Sequence, residues 1–198
     1  MANALFSSSS VLEDKSIITT RKNSRTGSLA DHSNTSHGGS FSMSHVSPMV
    51  HAPFISEALA EARAGLAEGG IPIGCVLVRN NQVIARGHNR RIQRGSVILH
   101  AEMDCLESAG RQTAAFYKEC ILYTTLSPCA MCSGAIRLYG IPRVVIGENK
   151  TFHGDETLLK THNVHIDILD SKECRELLDN YIKEHHSIWN EDIGRDQQ

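Results

Sequence analysis

The sequence predicts an α/β protein, a three-layer α-β-α sandwich built on one mixed five-stranded sheet. Two observations carry this. Five β-branched or apolar runs recur between residues 73 and 169, and helical periodicity separates all but the first two. The resulting order, α-β-β-α-β-α-β-α-β-α, puts helices on both faces of a single sheet. The hairpin makes one strand pair antiparallel. The strand-helix-strand units after it are expected to be parallel, with right-handed crossovers.

Each element has its own signal. "PFISEALAEARAGLAEGG", from Pro53, places Phe54, Ile55, Ala58, Leu59, Ala62 and Leu66 at helical spacing and ends in Gly-Gly. "IGCVLVR" and "QVIARGH" flank Asn80-Asn81 and read as a hairpin. "SVILHAEMDCLESAG" predicts a helix that starts near Leu99 or His100 and stops at Gly110. "CILYTTL" is a strand, "CAMCSGAIRLYG" a helix closed by glycine, and "RVVIGE" a strand. "DETLLKTH" is a short helix, "VHIDIL" a strand, and "SKECRELLDNYIKEH" a helix with Ser171 as its N-cap. "SIWNEDIG" reads as a polar tail with the single tryptophan.

The 198 residues fit one domain plus a tail. Residues 1–48 hold thirteen serines, four threonines and few large apolar groups, and are expected to be a disordered Ser-rich tail. Residues 49–198 are the domain. Arg21, Lys22 and Arg25 among hydroxyls suggest a mitochondrial presequence, but Glu13, Asp14 and Asp31 count against it. No secretory signal or membrane span is read, so a cytoplasmic location is expected, with the nucleus open as well. Twenty basic against twenty-two acidic side chains, a net charge of -2, give no field that would draw the chain onto nucleic acid or a membrane. In a reducing compartment a spaced cysteine pair points to metal or catalysis rather than a disulfide.

The chemistry concentrates in "HAE" and "PCAMC". Cys129 and Cys132 sit three apart on a first helical turn, so both sulfurs face one point. The helix N-terminus favours thiolates there. His100, at the start of another helix, completes a Cys2His set, which leaves zinc one open position, as in catalytic sites. Glu102 diverges from His100 on the helix and suits proton transfer beside the metal. H-x-E followed by P-C-x-x-C is the zinc deaminase signature. A redox C-x-x-C would leave His100 and Glu102 idle, and a structural zinc site would need a fourth ligand. Cys75, Cys105, Cys120 and Cys174 read as buried small hydrophobes, and His185 and His186 as solvated. Arg86, Arg90, Arg91 and Arg94 could meet a phosphate or RNA, but read better as a solvated face or as structural ligands of carbonyls.

From about residue 54 to the end the chain resembles the fungal, yeast-type cytosine deaminases of the zinc cytidine deaminase-like fold. The resemblance runs through "EGGIPIG", "RGHN", "LHAE", "LYTTLSPCAMCSGAI", "YGIPR", "GEN", Phe152 and the closing "W" and "EDIG". It implies that His100, Cys129 and Cys132 hold Zn2+ and that Glu102 is the catalytic proton shuttle. It also implies that Asn89 and Asp192 bind the pyrimidine, that the Ala101 N–H meets the base carbonyl, and that Ile73, Phe152 and Trp189 wall the pocket. The implied reaction is hydrolytic deamination of free cytosine to uracil and ammonia by zinc-activated water, in pyrimidine salvage, by a homodimer. Ala101 stands where the family has glycine, and Asn190 replaces an aromatic residue. Residues 1–48 have no counterpart in the family. A tRNA adenosine or other nucleobase or nucleoside deaminase of the same fold is the enzyme alternative. A non-catalytic zinc-binding interaction module is the alternative without catalysis.

Overall fold

The computed structural model describes residues 48–195. The segment read as a disordered tail, residues 1–48, lies outside the described residues except for Pro48, which opens the first helix. That helix, α1, spans Pro48–Ala67 and starts before the Pro53 that the periodicity suggested. The extra turn is held from the sheet. His51, 2% exposed, meets the Tyr123 hydroxyl at 3.0 Å, and the two rings pack at 5.6 Å.

Strands β1 (Gly74–Arg79) and β2 (Gln82–His88) form the expected hairpin. Asn80 and Asn81 both take left-handed φ, 51° and 59°. Asparagine tolerates that conformation, and the two-residue turn needs it at both central positions. A β-bulge interrupts the register beside Leu77 and Val78. There follow α2 (Arg91–Arg94), α3 (Ala101–Ala109), α4 (Ala114–Tyr117), β3 (Cys120–Leu126), α5 (Ala130–Tyr139) and β4 (Arg143–Glu148). The chain then runs through α6 (Glu156–Thr161), β5 (His165–Ile168), α7 (Lys172–Glu184) and α8 (His186–Asp192). Ser171 caps α7 as expected, its hydroxyl accepting from the Cys174 N–H at 3.3 Å. The polar "SIWNEDIG" is not a plain tail: most of it is α8. Nor is His185 simply solvated, since its ring stacks on Tyr181 at 4.3 Å.

The sheet order is β2-β1-β3-β4-β5. β1 pairs antiparallel with both β2 and β3, and β3-β4 and β4-β5 are parallel. There are thus two antiparallel pairs, because the crossover through α3 carries the chain from β2 across β1 to its far side.

Side chains alternate across the sheet. Val76, Val78, Tyr123 and Val145 pack with Ala58 of α1 on one face. Cys75, Leu77, Leu122, Val144 and Ile146 pack on the other, with Cys105 of α3 and Ile136 of α5. Each fully buried branched aliphatic side chain contributes roughly 1.5–3 kcal/mol. Close contact of α3 with β2 depends on Gly87. A Cβ there would lie 2.3 Å from the Cys105 backbone nitrogen, so only glycine lets the helix that carries His100 and Glu102 seat at this depth.

Candidate active site

Three chain segments converge at one end of the sheet. His100 is the N-cap of α3 and Cys129 the N-cap of α5, both in extended conformation, so each side chain projects at a helix start. Cys132 lies one turn into α5. Two positive helix ends therefore face one spot, where they favour thiolates. His100 Nδ1 is 3.5 Å from Cys129 Sγ and 3.8 Å from Cys132 Sγ. The three ligand atoms lie within 4.8 Å of one another, and no other such group occurs among the described residues. Tetrahedral zinc, with Zn–S about 2.3 Å and Zn–N about 2.0–2.1 Å, sets sulfur about 3.6 Å from nitrogen. The triad therefore already has the spacing of a zinc site, and it offers three ligands rather than four.

The protonation pattern of the metal-free triad follows from the same contacts. The hydrogen bond with Cys132 lowers the Cys129 thiol to about 4, against the opposing effect of burial and with help from His100. That bond and burial push Cys132 well up. Burial alone would lower His100, but the hydrogen bond to Cys129 and the carboxylates of Asp192 and Glu102 outweigh it and the net direction is up. Zinc must therefore displace the proton from Cys132, so binding is pH-dependent.

Glu102 is 4% exposed on the first turn of α3. Thr124 Oγ1 donates to its Oε1 at 3.0 Å, fixing the carboxylate from below. Burial, and then the Cys129 thiolate, raise its pKa above the ordinary carboxylate range. That direction suits a group that must both take and return a proton near neutral pH.

A cavity of about 340 Å³ opens beside the triad. Seven of the ten residues singled out in the sequence line it: Ile73, His100, Glu102, Cys129, Phe152, Trp189 and Asp192. Phe152 and Trp189 meet edge to face, 6.3 Å apart at 88°. Cys132 belongs to the triad but is fully buried behind the wall. Asn89 and Ala101 are also fully buried and do not line the cavity. Asn89 instead donates from Nδ2 to Asp192 Oδ1 at 3.1 Å and accepts the Arg91 N–H at 3.1 Å.

Sequence reasoning missed Leu126, Met131 and Ile193 in the wall, and Thr124 beneath Glu102. Thr124 had a signal: it is a polar residue on the same strand face as the apolar Leu122 and Leu126. Three of the four clustered arginines find carboxylates rather than carbonyls, and Arg94 stands exposed. Arg86 pairs with Glu57, Arg90 with Asp104 and Glu68, and Arg91 with Asp192 and Glu191.

Comparison with known proteins agrees with this geometry. The family model of the cytidine and deoxycytidylate deaminase zinc-binding region matches residues 48–148. A cytosine deaminase of Candida albicans is 52% identical over 138 residues, which is 69% of this chain and 92% of that protein. A tRNA-specific adenosine deaminase of Streptococcus pyogenes serotype M18 is 42% identical over 107 residues, 53% of this chain and 67% of that protein. A solved structure from work on A-to-I editing by tRNA:A34 deaminases matches with a TM-score of 0.53 and 31% identity, over 64% of this chain and 99% of that one. With its Cys2His triad, its buried glutamate and these matches, the chain belongs to the cytidine and deoxycytidylate deaminase family of zinc enzymes.

Proposed function

We propose that the chain hydrolyses free cytosine to uracil and ammonia. The observation that carries this reading is the buried Asp192 carboxylate in the wall of the cavity that also holds Glu102 and the triad. A free pyrimidine base carries an N–H on the ring edge away from its reactive carbon, and an acceptor there suits it. A nucleoside would bring ribose against the same carboxylate. The likeness to the Candida albicans cytosine deaminase, over 92% of that protein's length, supports the same substrate.

His100, Cys129 and Cys132 would hold the zinc. Zinc bound there supplies Lewis acidity that makes a water molecule nucleophilic near neutral pH. The water oxygen bonds to C4, the bond from C4 to the exocyclic nitrogen breaks, and ammonia leaves. Glu102 takes a proton from the water, passes one to N3 and helps deliver one to the departing amine. Thr124 keeps Glu102 Oε1 occupied and so fixes the carboxylate's direction. Asn89, behind the cavity wall, donates one amide N–H to Asp192 and so serves the base through that carboxylate. Phe152, Trp189 and Ile73 exclude water, which strengthens each polar contact.

The wider reading is pyrimidine salvage in the cytoplasm by a homodimer that does not bind nucleic acid. All six cysteines are free thiols, in keeping with a reducing compartment. No described helix is long and apolar enough to cross a membrane. Leu138 and Tyr139 stand exposed at the end of α5 and supply apolar area for a second copy. The net charge of -2 disfavours a polyanionic substrate. Glu102 argues against a non-catalytic module, because a scaffold gains nothing from the cost of burying a carboxylate. Ammonia release by the zinc-loaded protein from free cytosine, with none from tRNA, is the expected result. Release from tRNA alone would move the chain to the adenosine branch.

A further inference from the structure

Asp192 sits where an acidic residue is electrostatically out of place. It is the last residue of α8, a seven-residue helix whose last turn holds no basic residue, and Glu191 precedes it. Two carboxylates there oppose the helix dipole. So short a helix also has little stability of its own. Yet the Asp192 side chain is only 3% exposed, and a buried carboxylate needs a partner.

That partner comes from the other end of the domain sequence. Arg91 Nη1 donates to Asp192 Oδ1 at 2.9 Å, while Nη2 reaches Glu191 at 3.4 Å. The Arg91 side chain is 14% exposed, against 69% for Glu191. The bond to Asp192 is therefore the desolvated one and carries the weight. Asn89 Nδ2 adds a second donor to the same Oδ1 at 3.1 Å, and the Arg91 backbone N–H fixes Asn89 in turn through its Oδ1. Among the described residues every hydrogen bond to this carboxylate ends on Oδ1, and none on Oδ2. One oxygen is pinned by the protein and the other is left for a ligand in the cavity that Asp192 lines.

We propose that Arg91 is a positioning residue for substrate: it locks the end of α8 and turns Asp192 so that Oδ2 accepts the ring N–H of the pyrimidine. The inference rests on the cytosine reading above for the identity of that ring. Arg91 does not line the cavity, so it acts through Asp192 alone.

Substrate and transition state both keep the ring N–H, so the interaction is uniform, and its loss should fall on KM rather than kcat. In Arg91→Ala the KM for cytosine is expected to rise about ten- to a hundredfold, the range for a lost hydrogen bond to a charged group, with zinc content unchanged. Arg91→Lys keeps the charge but not the fork and should fall between the two. Guanidinium ion at non-denaturing concentration should restore Arg91→Ala by filling the vacated space, which a merely structural lesion would not allow. A KM within twofold of wild type, or a fall confined to kcat with no guanidinium rescue, overturns the proposal. If the wild-type protein leaves cytosine untouched, the substrate reading fails by itself. The clamp is then judged by a thermal-stability cycle of Arg91→Ala, Asp192→Asn and the double variant. Non-additive losses support it and additive ones overturn it.

Discussion

Replacing Glu102 by glutamine isolates proton transfer from everything else the site does. Glutamine is nearly isosteric, and its amide oxygen can still accept the Thr124 hydroxyl that lies 3.0 Å from Oε1. Packing and the zinc ligands are untouched, so the variant should fold and bind zinc fully. What it loses is a group able to take and return a proton, a contribution of about 10²–10⁴ in rate, or about 3–5 kcal/mol. Stability should not fall with activity. Burial raises the Glu102 pKa, so in the metal-free chain its contribution is present at acid pH and lost as pH rises through the folded value. Above the unfolded value glutamine removes the cost of burying this carboxylate or of holding it protonated, and the metal-free variant should melt no lower than wild type. The assays are ammonia release from cytosine, zinc analysis and thermal melting on one preparation. Residual turnover above a tenth of wild type, with zinc bound, would refute the assignment of the proton to Glu102.

Two further outcomes follow from other contacts. Cys129→Ala and Cys132→Ala should each abolish stoichiometric zinc, because the two protein ligands that remain bind the ion too weakly; full occupancy in either by metal analysis would contradict the triad. Burial lowers the His51 pKa against the pull of Asp167, with Arg143 and His165 adding to the lowering. Its stabilising contribution is therefore present above the unfolded value of about 6.5 and is lost as pH falls through the folded one. The stability advantage of wild type over His51→Gln should shrink between pH 7.5 and 5.5, a window above that of Asp167, whose own pKa is lowered from a carboxylate value. A constant difference in melting temperature across that range would contradict it.

The parts of the site that are close in sequence were legible there. His100 and Glu102 are two residues apart, Cys129 and Cys132 three, and each pair sits on one helical turn. The helical period then decides that the two sulfurs face together and that Glu102 diverges from His100. The strands and the two-asparagine turn were legible for the same reason. What could not be read is set by contacts between distant residues. Thr124 meets Glu102 across 22 positions, and Arg91 meets Asp192 across 101. No local pattern distinguishes that arginine from its neighbours Arg90 and Arg94. Helix α8 is too short to announce itself, and its packed Trp189 and clamped Asp192, not propensity, hold it. The first turn of α1 likewise exists because Tyr123, far along the chain, receives His51. The insertion of β1 between β2 and β3 depends on where a crossover lands, which sequence adjacency does not encode.

The measurement closest to the central claim compares kcat/KM for cytosine and for cytidine in the zinc-loaded wild-type protein. Free cytosine offers an N–H to Asp192, whereas cytidine carries ribose on that nitrogen and leaves a buried carboxylate without its donor. The ribose would also meet α8, which carries Trp189 and Asp192 in the cavity wall. Sites built to bond a substrate N–H reject analogues that lack it by large factors, so cytosine should be preferred by at least about 10³-fold. Comparable values for the two substrates would contradict the account and assign the cavity to nucleosides.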